Sequence, residues 1–134
     1  MGSGVSRAFR NNAFDSTPEL LFAGILESDP AVAKWLRPAP NQFDIYWDHQ
    51  TRKYQPDFVA ETADRIYMLE VKAANEMDSR EALEKAHAAM HFCKVINEYQ
   101  LEHDKKPWRY LLLPDNSLTS NSSLRGLWDR HGLG

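Results

Sequence analysis

The sequence has 134 residues, of which 43% are hydrophobic, and a formal net charge of −3. This length suits one domain with a single core and is too short for several. The negative charge argues against a protein that grips nucleic acid by bulk electrostatics, although local basic clusters could still contact it. No apolar run is long enough to span a membrane.

Cysteine content and the first residues bear on where the chain works. Cys93 is the only cysteine, so a disulfide framework is excluded and a reducing, cytoplasmic setting is expected. The sequence lacks the basic and apolar regions of a secretory signal peptide. Met1-Gly2-Ser3-Gly4 is typical of an expression leader. We interpret residues 1–13 as that leader with a linker or the end of a preceding element, and residues 14–134 as the domain.

The first helix is expected to begin near Ser16, because Ser16-x-x-Glu19 fits a capping box. After Asp29-Pro30, residues 31–37 are predicted to add one or two helical turns before Pro38-Ala39-Pro40 stops them.

Three β-rich runs follow, at residues 43–47, 54–59 and 66–72, and we expect an antiparallel meander. The polar stretches 49–53 and 61–65 would be its turns.

The longest helical pattern runs from Ser79 to about His103. Its apolar stripe consists of Ala82, Ala86, Ala89, Cys93 and Ile96. Residues 108–113 form the next predicted strand, and the long helix before them predicts a crossover to the same sheet. Ser122-Ser123 is predicted to cap a last short helix. The predicted fold class is α/β, a small mixed sheet flanked by helices in the order α-β-β-β-α-β-α.

Candidate chemistry lies on the run 66–72. Successive strand side chains point to opposite faces, so Glu70 and Lys72 share one face and Leu69 and Val71 the other. Asp57, on the neighbouring strand, could approach Glu70. Two acids and a lysine at one sheet edge indicate a divalent metal site.

Mg²⁺ prefers oxygen ligands, typically one or two carboxylates with waters and substrate phosphates. Asp57 and Glu70 would supply the carboxylates and Val71 a carbonyl, while Lys72 could position a water or stabilise phosphate charge. The alternative is a cross-strand salt bridge between Lys72 and either acid. A second Pro-Asp pair, Pro114-Asp115, has no acid-x-Lys sequel.

Pro56-Asp57 followed by Glu70-Val71-Lys72 resembles the signature of the PD-(D/E)XK nuclease superfamily, whose αβββαβ core matches the predicted order. Within it, residues 14–124 are similar to the C-terminal endonuclease domain of the restriction subunit of type III restriction enzymes. The matching segments are Phe14-Asp15-Ser16-x-x-Glu19-x-x-Phe22-Ala23, Tyr54-x-Pro56-Asp57-Phe58-Val59, and Lys85-x-x-Ala88-Ala89 with Phe92-Cys93.

The resemblance implies a DNA endonuclease that needs Mg²⁺, with Mn²⁺ as a substitute and no organic cofactor. It implies a covalently linked helicase/ATPase domain, a modification subunit as partner, and defence against foreign DNA. It also gives Glu19 a place near the metal, although Glu19 could simply cap its helix. Lys85 could reach the scissile phosphate or an acid, or lie along the surface.

Weaker signals remain. Glu84, His87 and His91 share a helix face, and the two histidines could hold zinc, but no third ligand is evident and a solvated face is favoured. Basic residues that could contact DNA phosphates are Arg52, Lys53, Lys105, Lys106 and Arg109. The alternatives to a restriction nuclease are a catalytically silent nuclease-fold module that binds DNA or protein, and a resolvase or repair nuclease of the same fold.

Overall fold

The computed structural model describes residues 17–39, 44–47, 52–102 and 105–132. Within these ranges the chain is mixed α/β, with a four-stranded mixed sheet, a two-stranded sheet and three α-helices. The elements in chain order are α1 (Thr17–Ser28), β1 (Lys34–Leu36), β2 (Ile45–Trp47), β3 (Arg52–Tyr54), β4 (Phe58–Glu61), β5 (Ile66–Lys72), α2 (Arg80–Glu102), β6 (Trp108–Pro114) and α3 (Leu124–His131).

The main sheet has the strand order β1-β4-β5-β6. Both β1 and β5 pair antiparallel with β4, where Phe58 lies opposite Leu69. β6 pairs parallel with β5 and sets Leu112 beside Glu70. α2 connects these two parallel strands, which need a long crossover because a tight turn cannot join them. The predicted return of β6 to the same sheet is confirmed.

Helices cover both faces of the main sheet, each over its own core. On one face, α1 and α3 pack against Phe58, Leu69 and Leu111. On the other, α2 packs against Met68 and Leu112. Of the five residues predicted for the stripe of α2, Ile96 is only half-buried, whereas the other four are buried, namely Ala82, Ala86, Ala89 and Cys93. These small side chains let the helix approach the sheet closely.

The prediction of helical turns over residues 31–37 is wrong. They contain β1, in which Trp35 lies opposite Ala60 of β4. Asp29 follows α1, and its buried carboxylate accepts hydrogen bonds at 2.9 Å from the Ala31 N–H and from the Leu124 N–H at the start of α3. Trp35 packs edge-on against Phe58 with ring centroids 5.7 Å apart. This burial outweighs the weak helix propensity of so short a segment.

The predicted meander also needs correction. β2 pairs with β3 in a separate hairpin, so β1 takes the place expected for the run 43–47 as the first strand beside β4. The strand expected over 54–59 is interrupted before Phe58, since Pro56 has no N–H to give to a ladder. Arg52 and Lys53, expected in a turn, belong to β3.

The remaining local predictions divide into confirmed and untested. Ser123 caps α3, since its hydroxyl accepts a hydrogen bond from the Gly126 N–H at 3.1 Å. Ser16 and residues 1–13 lie outside the described residues. Over the parts of the chain that are described, no helix combines the length and apolar character needed to cross a bilayer.

Candidate active site

Asp57 lies in the break between β3 and β4. Its Oδ2 accepts a hydrogen bond from the Val71 N–H at 2.8 Å, which ties the carboxylate to the end of β5. The pKa of Asp57 is raised to about 6, chiefly by burial; the Val71 N–H opposes this rise, Glu19 adds to it and Arg37 opposes it. Asp57 is therefore a carboxylate that gains from a nearby cation.

Glu70 lies on the face of β5 that α2 covers, next to Asp57. Its Oε1 is enclosed and accepts no hydrogen bond from any described residue. Burial raises the pKa of Glu70 well above its usual value, Asp57 raises it further, and the ammonium groups of Lys85 and Lys72 oppose the rise. Ionising a carboxyl enclosed beside a second carboxylate is costly without a cation. The two acids form an oxygen-rich site that favours a positively charged ligand.

The predicted division of β5 into two faces is confirmed for its apolar side. Leu69 and Val71 pack with the core under α1. Lys72 lies close enough to lower the pKa of both Asp57 and Glu70, yet it forms no direct salt bridge with an acid in the described ranges. The Val71 N–H is held by Asp57, which fixes the backbone beside the carbonyl expected to act as a neutral ligand.

Glu19 joins the acids from the first turn of α1. Its Oε1 lies 3.1 Å from Nη2 of Arg37, and both side chains are largely buried. Glu19 raises the pKa of Asp57 and Arg37 lowers it. Arg37 follows β1, so the expected helix over 31–37 concealed it, and no other signal in the sequence marks it. The structure thus places Glu19 within electrostatic range of Asp57 and Glu70, and it sets a guanidinium that was not predicted beside Glu19 and near Asp57.

Lys85 approaches the acids from α2, and its surroundings were not predicted. Its Nζ lies 5.1 Å from the centroid of the Trp47 ring and 5.4 Å from that of Tyr54. The same nitrogen forms an ion pair with Glu81 at 2.8 Å. Since Lys85 lowers the pKa of Glu70, its charge acts on the site. Both rings belong to the β2–β3 hairpin, whose packing over α2 no local pattern reveals.

Two tyrosines that carry no charge lie near Glu70. The Tyr54 hydroxyl donates to the Lys85 carbonyl at 3.0 Å, and the buried Tyr110 of β6 lies in the same cluster. Burial raises the pKa of both phenols, and the Glu70 charge raises it further. Both therefore stay protonated at physiological pH and can donate hydrogen bonds. Their place in adjacent β-rich runs was visible in the sequence, but their convergence was not.

The basic residues proposed to contact DNA fall into two places. Arg52 and Lys53 lie on the hairpin, where Arg52 stacks over Trp47 at 5.0 Å and Lys53 pairs with Asp44 at 3.4 Å. The remaining three are Lys105, Lys106 and Arg109, at the start of β6. β6 begins beside Ile66, four positions before Glu70, which is about 13 Å at 3.3 Å per residue. These three basic residues therefore lie at the far end of β5 from Glu70.

Other predicted features have structural roles. The His87 and His91 side chains are exposed, while Glu84 pairs with Arg80 at 2.8 Å. The two histidines border a cleft of about 610 Å³ between α2 and β6, whose lining includes neither Asp57 nor Glu70. Cys93 is buried, which raises its pKa to about 11, as expected of a core residue. Asp115, in the second Pro-Asp pair, accepts a hydrogen bond from a backbone N–H at 3.1 Å.

The donor set fits a hard divalent cation. Asp57 and Glu70 offer carboxylate oxygens with raised pKa values, and one Glu70 oxygen has no hydrogen-bond donor among the described residues. Within those residues no three His, Cys, Asp or Glu side chains form a ready metal-binding group. Mg²⁺ needs fewer, because it is usually held by one or two carboxylates and keeps several waters.

Comparison with protein-family models, with curated proteins and with solved structures finds no match to this chain.

Proposed function

We propose that this chain is a Mg²⁺-dependent DNA endonuclease domain of the PD-(D/E)XK type. The observation that carries the proposal is the enclosed Glu70 oxygen without a hydrogen-bond donor, beside an Asp57 carboxylate whose pKa is about 6. The element order supports it: α1, β1, β4, β5, α2 and β6 follow the pattern αβββαβ, with the β2–β3 hairpin inserted. Lys72 stands where that signature needs a lysine.

Each residue of the candidate active site would have a separate role in the reaction. Asp57 and Glu70 would hold the cation, and Glu19 would add negative charge from α1. When bound, Mg²⁺ would lower the pKa of a water and neutralise charge on the phosphodiester. Lys72, which forms no salt bridge with a described acid, is left to orient the attacking water or the phosphate. The protonated Tyr54 and its neighbours exclude water from one side of Glu70.

The proposal also covers the larger enzyme of which this chain would be one module. The cleavage module would serve a type III restriction enzyme, with a covalently linked helicase/ATPase domain and a modification subunit that recognises the site. A cytoplasmic setting goes with this role. The net charge of −3 fits a module that depends on a larger assembly to hold DNA.

The test compares two aspartates that both follow a proline. The unaltered chain should nick supercoiled plasmid DNA with Mg²⁺ and not with EDTA. Asp57→Asn should reduce nicking to background, whereas Asp115→Asn should keep it, because Asp115 is not a proposed ligand and its carboxylate accepts a hydrogen bond from the Ala74 N–H. Equal nicking by the two variants would contradict the proposal.

A second candidate is a catalytically silent nuclease-fold module that binds DNA or protein. It is favoured by one observation: the Arg37 guanidinium already pairs with Glu19 at 3.1 Å and lowers the pKa of Asp57. A resident cation can replace a metal in balancing buried acids. Absence of Mg²⁺-dependent cleavage of duplex, branched and single-stranded DNA, with binding unchanged in Glu70→Ala, would support this candidate.

A further inference from the structure

Two aromatic rings of the β2–β3 hairpin, Trp47 and Tyr54, lie against the ammonium group of Lys85 on α2, and we call this pair of rings the box. Lys85 Nζ lies 5.1 Å from the Trp47 ring centroid and 5.4 Å from the Tyr54 centroid. The Tyr54 hydroxyl also donates to the Lys85 carbonyl at 3.0 Å. Aromatic faces attract an ammonium group, so the hairpin holds both the backbone and the charged end of Lys85. Little rotamer freedom remains to be lost when that charge meets a ligand.

The counter-ion of this boxed lysine is on the surface. Glu81 pairs with Lys85 at 2.8 Å, and the Glu81 side chain is 53% exposed whereas that of Lys85 is 21% exposed. Two further cations lie near, since Lys85 first, and then Lys72 and Arg52, lower the pKa of Glu81. An exposed ion pair of this kind contributes little to stability. Glu81 is therefore readily displaced by another anion.

A cleft of about 360 Å³ opens at this point. It is lined by Trp47, Arg52, Arg80, Glu81 and Glu84. The guanidinium of Arg52 lies 5.0 Å from the Trp47 ring centroid, on the ring that also contacts Lys85. An anion entering the cleft would meet Arg52 and, once Glu81 moves aside, Lys85.

We propose that a backbone phosphate of a bound nucleic acid replaces Glu81 at Lys85, with Arg52 beside it. The ligand class rests on the proposed nuclease function, while the subsite rests on the box, the cleft and the exposed counter-ion. Lysine binds phosphate as a point charge, and the boxed ammonium is already in place. In the free chain Glu81 occupies this subsite and weakens nucleic-acid binding.

The last helix supplies a matched control outside the cleft. Asp129 also pairs with a cation four residues away, Arg125 on α3, at 3.4 Å, so Glu81→Gln and Asp129→Asn change the net charge equally. Binding of a short fluorescein-labelled DNA duplex is measured by anisotropy in EDTA. Glu81→Gln should bind about two- to five-fold more tightly than Asp129→Asn, the range expected for releasing one surface ion pair. In a Lys85→Gln background that gain should vanish.

Three results would overturn the proposal: equal affinities for Glu81→Gln and Asp129→Asn, a gain that persists without Lys85, or undetectable binding by Glu81→Gln. Far-ultraviolet circular dichroism of each variant checks that the fold is retained. Because EDTA removes the metal, the outcome is independent of cleavage. A chain that binds in the expected order but never cuts DNA would keep the subsite and reject the nuclease.

Discussion

Asp57→Asn should stabilise the metal-free chain, since the ionised carboxylate is costly to bury. The pKa of Asp57 rises from 3.8 to about 6, which corresponds to about 3 kcal/mol at neutral pH, at 1.36 kcal/mol per unit. Asparagine can still accept the hydrogen bond from the Val71 N–H, but losing the charged acceptor costs about 1 kcal/mol. The expected gain is about 2 kcal/mol in the free energy of unfolding, or roughly 5–8 °C in Tm.

The direction of the Asp57 pKa shift decides how the stability difference between the variant and the unaltered chain changes with pH. The folded pKa of Asp57 lies above the unfolded value, so the folded state binds the proton more tightly. The associated stability is fully present below about pH 3.8 and is lost as the pH rises through about 6. The advantage of Asp57→Asn over the unaltered chain should therefore be small in acid and grow over this window.

The assay is thermal and urea unfolding in EDTA at a series of pH values, with Asp115→Asn as control. Asp115 accepts one hydrogen bond at the surface, from the Ala74 N–H, so its variant should lose about 1 kcal/mol or less at neutral pH. Added Mg²⁺ should stabilise the unaltered chain and not Asp57→Asn. A less stable Asp57→Asn at neutral pH, or an advantage independent of pH, would refute the reasoning.

Three further changes test other parts of the site and core. Lys72→Gln should abolish Mg²⁺-dependent nicking while calorimetry shows Mg²⁺ affinity unchanged or tighter, because Lys72 is not a ligand; weaker Mg²⁺ binding would contradict this. Glu19→Gln should weaken Mg²⁺ binding and, by removing the partly buried Glu19–Arg37 ion pair, cost about 2 kcal/mol in urea unfolding; unchanged stability would argue that the pair is unimportant. Ala89→Leu should lower the free energy of unfolding by about 1–3 kcal/mol, because it overpacks the buried face of α2. Leu83→Ala, on the exposed face, should lower it by about 0.5 kcal/mol or less. Equal losses for the two variants would mean that α2 packs on the sheet through a different face.

The part of the site that local periodicity controls was predictable. Strand alternation put Glu70 and Lys72 on one face, and the turn residues before β5 made an antiparallel approach by Asp57 reasonable. The alanine stripe of α2 was visible for the same reason, since it repeats at helical spacing. These inferences needed only neighbours along the chain.

The rest depends on contacts between distant segments. Arg37 reaches Glu19 only because β1 pairs with β4, and tertiary pairing overrode the local preference of residues 31–37. The box around Lys85 needs the hairpin to fold over α2, which no spacing in the sequence encodes. Pro56 was noted as part of a motif, yet its missing N–H also ends a strand.

The most direct measurement is the anomalous difference density of a crystal of this chain soaked in Mn²⁺. The proposed metal site predicts a peak within coordination distance of both an Asp57 carboxylate oxygen and Oε1 of Glu70, absent from crystals of Asp57→Asn. No peak at saturating Mn²⁺, or a peak that touches neither carboxylate, would contradict it.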